Sequence, residues 1–388
     1  MNLCFINPSK SRRPEIYGLA ENLPKKKYNI TILQPSDKVE IHHDFYLREN
    51  IFVKHVPSFF ISLSNSVVTV PVFQKWIKEL FNIVRLGKAD LIHVCDYEYL
   101  TSILPIFIKR KCRKIPAIIV NDALIGVGNY SFGSLPMNFL SKIYTYGLGI
   151  EVLNNYDKII LLYSELAKQA KRIGIPESKI EVIPNGINVE KIFNIQKRLN
   201  TKSIREKYGI NEDEKVILYV GRLVKMKRVE IIIRTIKKLL ERKLKVKGLI
   251  VGDGPQRASL RKMAYPIGTH IKFTGYLSEE RFECYHIADL FMLPSISEGL
   301  PTVLLEAALF GLPIIATNIH GIPDIVIHGK TGFLVSIWNY DQYIEYAEHL
   351  LTNQYLAKEI GENARKHVAS NFSWNKVVKK YEQVYNEC

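Results

Sequence analysis

Between Ser297 and Pro313 the chain reads SEGLPTVLLEAALFGLP, which sets two carboxylates, Glu298 and Glu306, around the start of a short helix. Pro301 suits the first helical turn, where a missing N–H costs nothing, and Gly311 with Pro313 marks the end. Glu298, Gly299 and Leu300 form the approach, and Thr302 follows the proline. Gly299 lets backbone come close to a ligand, while free N–H groups and the helix dipole favour an anion. A diphosphate is the natural guest. Glu306 stands among Val303, Leu304, Leu305, Ala307 and Ala308, so its carboxylate needs a partner. Ribose hydroxyls, a backbone N–H or an arginine would each serve.

A second cationic element is Arg222 with Lys227. The run Lys215–Val220 reads as a strand, and Gly221 opens the loop that follows it. Both cations therefore project from a strand's carboxyl end, where open α/β sheets bind their ligands.

The elements that position these groups alternate throughout. Apolar runs at Leu3–Ile6, Tyr28–Gln34, Leu91–Cys95, Ala117–Val120 and Lys158–Tyr163 are separated by helix-length segments such as Val72–Leu86 and Leu100–Lys111. The pattern restarts with strands at Lys215–Val220, Leu244–Val251, His270–Thr274, Leu290–Leu293 and Ile314–Ala316, and with helices between them. Strands alternating with helices predict α/β architecture with parallel sheets covered on both faces. At 388 residues, two doubly wound Rossmann-like domains facing a central cleft are expected. The division predicted is residues 1–176 plus 372–388 against 177–371, the last helix returning to the first domain.

Glu298 and Glu306, with seven residues between them, match the E-x7-E signature of retaining glycosyltransferases of the GT-B fold. The resemblance to family 4 of these enzymes extends through VIPNGINVEKIF, LYVGRLVKMKRVEIII, LIVGDGP, IKFTGYL and GLPIIATNIHGIPDIVIHGKTGFLV. It implies a sugar transferase using a nucleoside-diphosphate sugar. In it Arg222 and Lys227 match the cations that hold the donor phosphates and offset charge on the leaving group. Tyr276 and Leu277 match the place where the nucleobase packs. The family's acceptors make a glycan or lipid-linked acceptor the expected partner, and its mechanism is a front-face substitution in which the leaving phosphate takes the acceptor's proton. The chain contains no D-x-D triplet, so a metal-free site with no cofactor beyond the donor is expected.

The first half departs from the family pattern. The loop after the first strand is Asn7-Pro8-Ser9-Lys10-Ser11-Arg12-Arg13-Pro14-Glu15, where relatives carry a glycine pair. Basic side chains there would replace backbone N–H groups, or the loop is rebuilt for an anionic acceptor. Asn121 stands where a histidine often contacts the donor sugar; it can hydrogen-bond a hydroxyl but carries no proton. The usual histidine-rich ending of the neighbouring strand is His93-Val94-Cys95-Asp96. Arg228 replaces the usual glycine after Lys227, adding a cation or altering the turn. Asn185-Gly186 reads as a structural turn, and Gly252-Asp253-Gly254-Pro255 as a strand-to-helix turn.

Composition leaves the partner open. Net charge is +16, with Lys109, Arg110, Lys111, Arg113 and Lys114 in one cluster, which suits nucleic acid, anionic lipid or phosphorylated substrates. RNA-binding aromatic motifs are missing, so no specific nucleic-acid partner is expected; a non-catalytic scaffold remains the rival class, and a sugar-nucleotide epimerase the rival enzyme. The five cysteines are scattered and odd in number, and the first residues do not read as a secretory signal; a reduced cytoplasmic protein follows. No run approaches a membrane span. Gln74–Lys88, with Trp76, Leu80, Phe81 and Val84 on one face, and the aromatics of Tyr130–Tyr146 predict peripheral docking on the cytosolic leaflet. Oligomeric state is not legible in the sequence.

Overall fold

A computed structural model of the chain describes residues 1–37, 44–63, 66–111, 115–127 and 135–388. Cys112, Arg113, Lys114 and Tyr130 lie outside the described residues, as do the side chains of Arg110 and Lys111. The chain divides into two compact units, Met1–Gly186 with Trp374–Cys388, and Ile187–Ser373.

The first unit holds β1 (Asn2–Ile6), β2 (Asn29–Asp37), β3 (Phe45–Arg48), β4 (Ile51–Leu63), β5 (Ser66–Pro71), β6 (Leu91–Cys95), β7 (Ala117–Asn121), β8 (Lys158–Leu161) and β9 (Ile180–Val182). They form one sheet in the order β3-β4-β2-β1-β6-β7-β8-β9, with β5 on β4. All pairings are parallel except those of β4 with β3 and β5. Leu3, Phe5, Ile6, Leu91, Ile92, Ile118 and Ile119 are fully buried, as the apolar runs require of a sheet covered on both faces. The strand order reverses between β1 and β6, the topological switch of this unit.

The boundary falls later than 176/177, after Gly186, because β9 pairs with β8 and so keeps Ile180–Val182 in the first sheet. The last helix, Trp374–Glu387, packs within this unit and buries Trp374, Val377, Val378, Tyr381, Val384 and Tyr385. Its indole fills the space over Gly18 and Gly186, where a Cβ at either position would overlap the ring. The helix Phe73–Arg85 turns Trp76, Leu80 and Ile83 into the protein, and Trp76 Nε1 donates to Ser58 Oγ at 3.1 Å. Of the apolar face expected to meet a leaflet at Gln74–Lys88, Trp76 and Leu80 are therefore covered by the protein itself, while Phe81 and Val84 are half-buried.

The second unit holds β10 (Lys215–Val220), β11 (Val246–Val251), β12 (Ile271–Gly275), β13 (Leu290–Leu293), β14 (Ile314–Thr317) and β15 (Phe333–Val335), ordered β12-β11-β10-β13-β14-β15 and all parallel. The helix Glu230–Glu241 covers it with Ile232, Ile233, Ile236 and Leu239. Its switch point lies between β10 and β13. Among the described residues no helix is long and apolar enough to cross a membrane.

Candidate functional site

In the second unit, the loops leaving β10 and β13 flank the switch point, and they carry the cations and the first carboxylate. Lys227 ends a short 3-10 turn (Lys225–Lys227), and its Nζ donates to Glu298 Oε1 at 2.6 Å. The two loops are also laced by backbone, Ile296 N–H donating to the Met226 carbonyl at 2.8 Å. Arg222 is exposed on the same loop, and among the described residues its guanidinium has no ion-pair partner. Its carbonyl accepts from Tyr219 Oη at 2.9 Å, which holds the start of the loop against the end of β10.

Close backbone packing builds the floor. Gly252 has φ 136°, and a Cβ there would strike the Gly221 carbonyl, while one on Gly254 would sit 2.5 Å from the Leu223 carbonyl. Leu223 N–H donates to the Asp253 carbonyl at 2.9 Å. The GDGP turn thus holds up the Arg222 loop.

Glu298 precedes Thr302–Leu309, an eight-residue helix capped by Pro301 rather than opened by it. Its backbone N–H donates to His320 Nδ1 at 3.3 Å, and Gly321 N–H donates to the Gly299 carbonyl at 3.3 Å. Burial lowers the pKa of His320 from its usual value, which keeps the imidazole a neutral acceptor. His320 has φ 45° and follows β14. It was missed from sequence; the only signal was its place after a strand of the same sheet.

Glu306 faces a different partner. Arg281 grips it bidentately, Nη2 to Oε1 at 2.7 Å and Nε to Oε2 at 3.2 Å. The two glutamates of the seven-residue spacing therefore sit in separate ion pairs, one on a loop and one on a helix, instead of on a continuous helical face. Arg228 takes φ 50°, the left-handed conformation that glycine adopts easily. Its guanidinium turns to the Ile337 carbonyl at 3.0 Å and to the Tyr340 hydroxyl, so it alters the turn rather than adding a free cation. Leu300 is buried, Gly299 and Thr302 half-buried. Tyr276 is exposed beyond β12 and lines a depression with Leu277, Lys207 and Ser278.

In the first unit, Arg13 is the hub of the strand ends. It pairs with Asp96 after β6, with Asp122 after β7 at 3.6 Å, and with Glu15 at 3.9 Å. Asn185 Nδ2 donates to Glu15 Oε1 at 2.7 Å. Lys10 pairs with Asp37 and lies over the Phe60 ring. The basic side chains of this loop are thus largely spent on internal acids, which limits what Lys10 and Arg13 can offer an anionic acceptor.

Asp96, Glu98 and Asp122 bring carboxylate oxygens within 4.8 Å of one another. Burial raises the Asp96 pKa to about 7 and that of Glu98 well above the ordinary range, with Arg13 opposing both. An arginine inside the group supplies the positive charge that a metal ion would bring, so the cluster fits a proton-sharing hub better than a metal site. Asn121 is fully buried, and its Oδ1 accepts from Tyr97 N–H at 2.9 Å. Its Nδ2 has no partner among the described residues.

Residues 16–191 match the family described as Glycosyltransferase Family 4, and residues 200–367 match Glycosyl transferases group 1. An uncharacterised glycosyltransferase of Methanocaldococcus jannaschii is 28% identical over 384 residues, spanning 95% of this chain and 92% of that protein. Among solved structures, sucrose-phosphate synthase from Thermosynechococcus elongatus aligns with a TM-score of 0.82 at 18% identity, covering 100% of this chain and 98% of that one. Anabaena HepE in complex with UDP aligns at 0.78 with 16% identity, covering 100% of both chains. The structural likeness establishes the fold, two Rossmann-like units of the GT-B type.

Proposed function

Because the chain belongs to the family 4 glycosyltransferases, and is thereby a sugar-transferring enzyme, we propose that it moves a sugar from a nucleoside-diphosphate sugar to a glycan or lipid-linked acceptor with retention of configuration. The observation that carries this reading is the pair of loops at the second unit's switch point, where Lys227 meets Glu298 at 2.6 Å beside an exposed Arg222. Arg222 and Lys227 take the diphosphate, and the N–H groups of Gly299, Leu300 and Thr302 add donors on the other side. Glu298 is the carboxylate paired with Lys227, and it faces the transferred sugar. Glu306 accepts ribose hydroxyls with the lone pairs that Arg281 leaves open. Tyr276 and Leu277 receive the base. Asn121, in the first unit, holds the backbone after β6 through the bond that its Oδ1 accepts from Tyr97 N–H.

In the transfer step the acceptor hydroxyl attacks the anomeric carbon on the face from which the phosphate departs. The bond from that carbon to the phosphate oxygen breaks, and the acceptor's proton passes to the leaving oxygen. Arg222 and Lys227 stabilise the charge that grows there. No metal is assigned a role, since two side-chain cations and a helix N-terminus supply the counter-charge. A thermal-shift screen against UDP-, GDP- and ADP-sugars tests the reading. Stabilisation by one nucleotide class is the expected result, and no shift with any of them would overturn it.

A further inference from the structure

Residue 228 fixes the turn that presents Lys227, through both its backbone and its side chain. Arg228 takes φ 50° and ψ 41°, the left-handed region where a Cβ crowds its own backbone and where glycine would sit without crowding. It closes the 3-10 turn Lys225–Lys227, its N–H donating to the Lys225 carbonyl at 3.2 Å. The side chain then leaves the turn. Nη1 donates to the Ile337 carbonyl at 3.0 Å, Nη2 donates to the Tyr340 hydroxyl, and the guanidinium lies 4.5 Å from the centre of the Tyr340 ring. Glu230 adds a carboxylate 3.6 Å from Nε. With 16% of the side chain exposed and its fork turned to these partners, Arg228 is not placed to take a phosphate itself. Ile337 and Tyr340 follow β15, three places along the sheet from β10. That anchor is firm, because Tyr343 in the helix Asp341–Thr352 is buried and its hydroxyl lies 2.7 Å from Thr317 Oγ1 at the end of β14. A strained residue persists only where its surroundings hold it, and these surroundings hold it next to the lysine assigned to phosphate.

We propose that Arg228 is a positioning residue for the donor diphosphate: by tying the Lys225–Lys227 turn to the segment Ile337–Tyr340, it fixes where the Lys227 ammonium stands. This role rests on the reading of Lys227 as a ligand of the donor phosphates. Lys227 meets Glu298 at 2.6 Å on a flexible four-carbon stem, so its head reaches carboxylate or phosphate reliably only from a backbone that stays in place. A cation fixed before the ligand arrives gives up less freedom on binding, and its charge is already aimed where the leaving phosphate will stand. A glycine at 228 would make the same turn and leave it untied. The device works by geometry rather than by charge. A lysine there would keep the charge, but its single ammonium lacks the planar fork that meets the Ile337 carbonyl and the Tyr340 hydroxyl together.

Calorimetric titration of the intact chain with UDP, GDP and ADP tests the proposal, the variants being titrated with whichever nucleotide the wild type binds. Arg228→Gly keeps the left-handed turn without strain and removes the tie. Its melting temperature is expected near that of the wild type, the relaxed backbone offsetting the lost bonds. Its affinity is expected to fall about threefold to tenfold, a part of what Lys227 itself supplies. Arg228→Lys, with the charge kept and the fork lost, is expected to bind no better than Arg228→Gly. Tyr340→Ala removes the far end of the tie, leaves residue 228 alone, and is expected to weaken binding by a similar factor. In a Lys227→Ala background, Arg228→Gly is expected to cause no further loss, because it acts through that lysine; a merely structural role would lower affinity in both backgrounds. Wild-type affinity in Arg228→Gly, Arg228→Lys or Tyr340→Ala, or an equal loss with and without Lys227, would overturn the proposal and leave the donor reading in place. Full affinity in Lys227→Ala, or binding of none of the three nucleotides by the wild type, would overturn both.

Discussion

Arg222 and Lys227 are assigned the same phosphates but differ in their present surroundings, and that difference makes the assignment separable from stability. Arg222 is exposed and unpaired among the described residues, so Arg222→Ala removes nothing that the unliganded fold uses. Its melting temperature is expected to match the wild type, because exposed substitutions usually cost less than about 0.5 kcal/mol. Lys227 is 22% exposed and Glu298 only 8%, and their 2.6 Å bond is the ion pair that neutralises Glu298 within the unit. Breaking a fully buried pair costs about 3–5 kcal/mol. With a fifth of the lysine in water, about 2 kcal/mol is the reasonable figure for Lys227→Ala, and a melting shift of about 4–8 °C follows. Lys227→Ala with Glu298→Gln should recover most of that loss, since no uncompensated charge remains. Binding behaves otherwise. Each cation contributes a charge-assisted bond of about 1.5–3 kcal/mol, so both single variants should bind nucleoside diphosphate about tenfold to a hundredfold more weakly by calorimetry. Wild-type affinity in Arg222→Ala, the variant whose fold is untouched, would refute the phosphate assignment.

The acidic hub around Arg13 makes a pH prediction. Asp96 and Glu98 hold protons in the folded state that an unfolded chain releases above about pH 4, so their contribution is full below that pH and is lost as pH rises, near 7 for Asp96. Glu98→Gln is therefore expected to be as stable as the wild type in acid and more stable in alkali, with the difference in melting temperature widening between about pH 5 and about pH 8; a constant difference would show that Glu98 is ionised. Gly186→Ala is expected to lower stability by about 1–3 kcal/mol in chemical denaturation, because the added Cβ enters the space of the Trp374 ring, and an unchanged midpoint would show that the indole gives way freely.

Much of the candidate site's placement was legible because it follows from local order along the chain. Strand-loop-helix spacing puts Arg222, Lys227 and Glu298 at the carboxyl ends of β10 and β13 whatever the packing, and parallel sheets place such ends on one side. The apolar alternation likewise specified two α/β units, because a buried parallel strand has to be apolar on both faces.

Partnership was decided by tertiary structure. Nothing in the spacing of Glu298 and Glu306 says that one meets Lys227 and the other Arg281, since each contact is made across the fold. His320 entered through a backbone bond that no motif encodes, and Arg13 was drawn from a seemingly available basic loop into three acids. The same holds for the helices. Trp76 and Phe139 both read as aromatic residues on amphipathic segments, yet one is fully buried and the other mostly exposed. Periodicity specifies that a helix has an apolar side, and only the packing of the sheet beneath decides whether that side is covered.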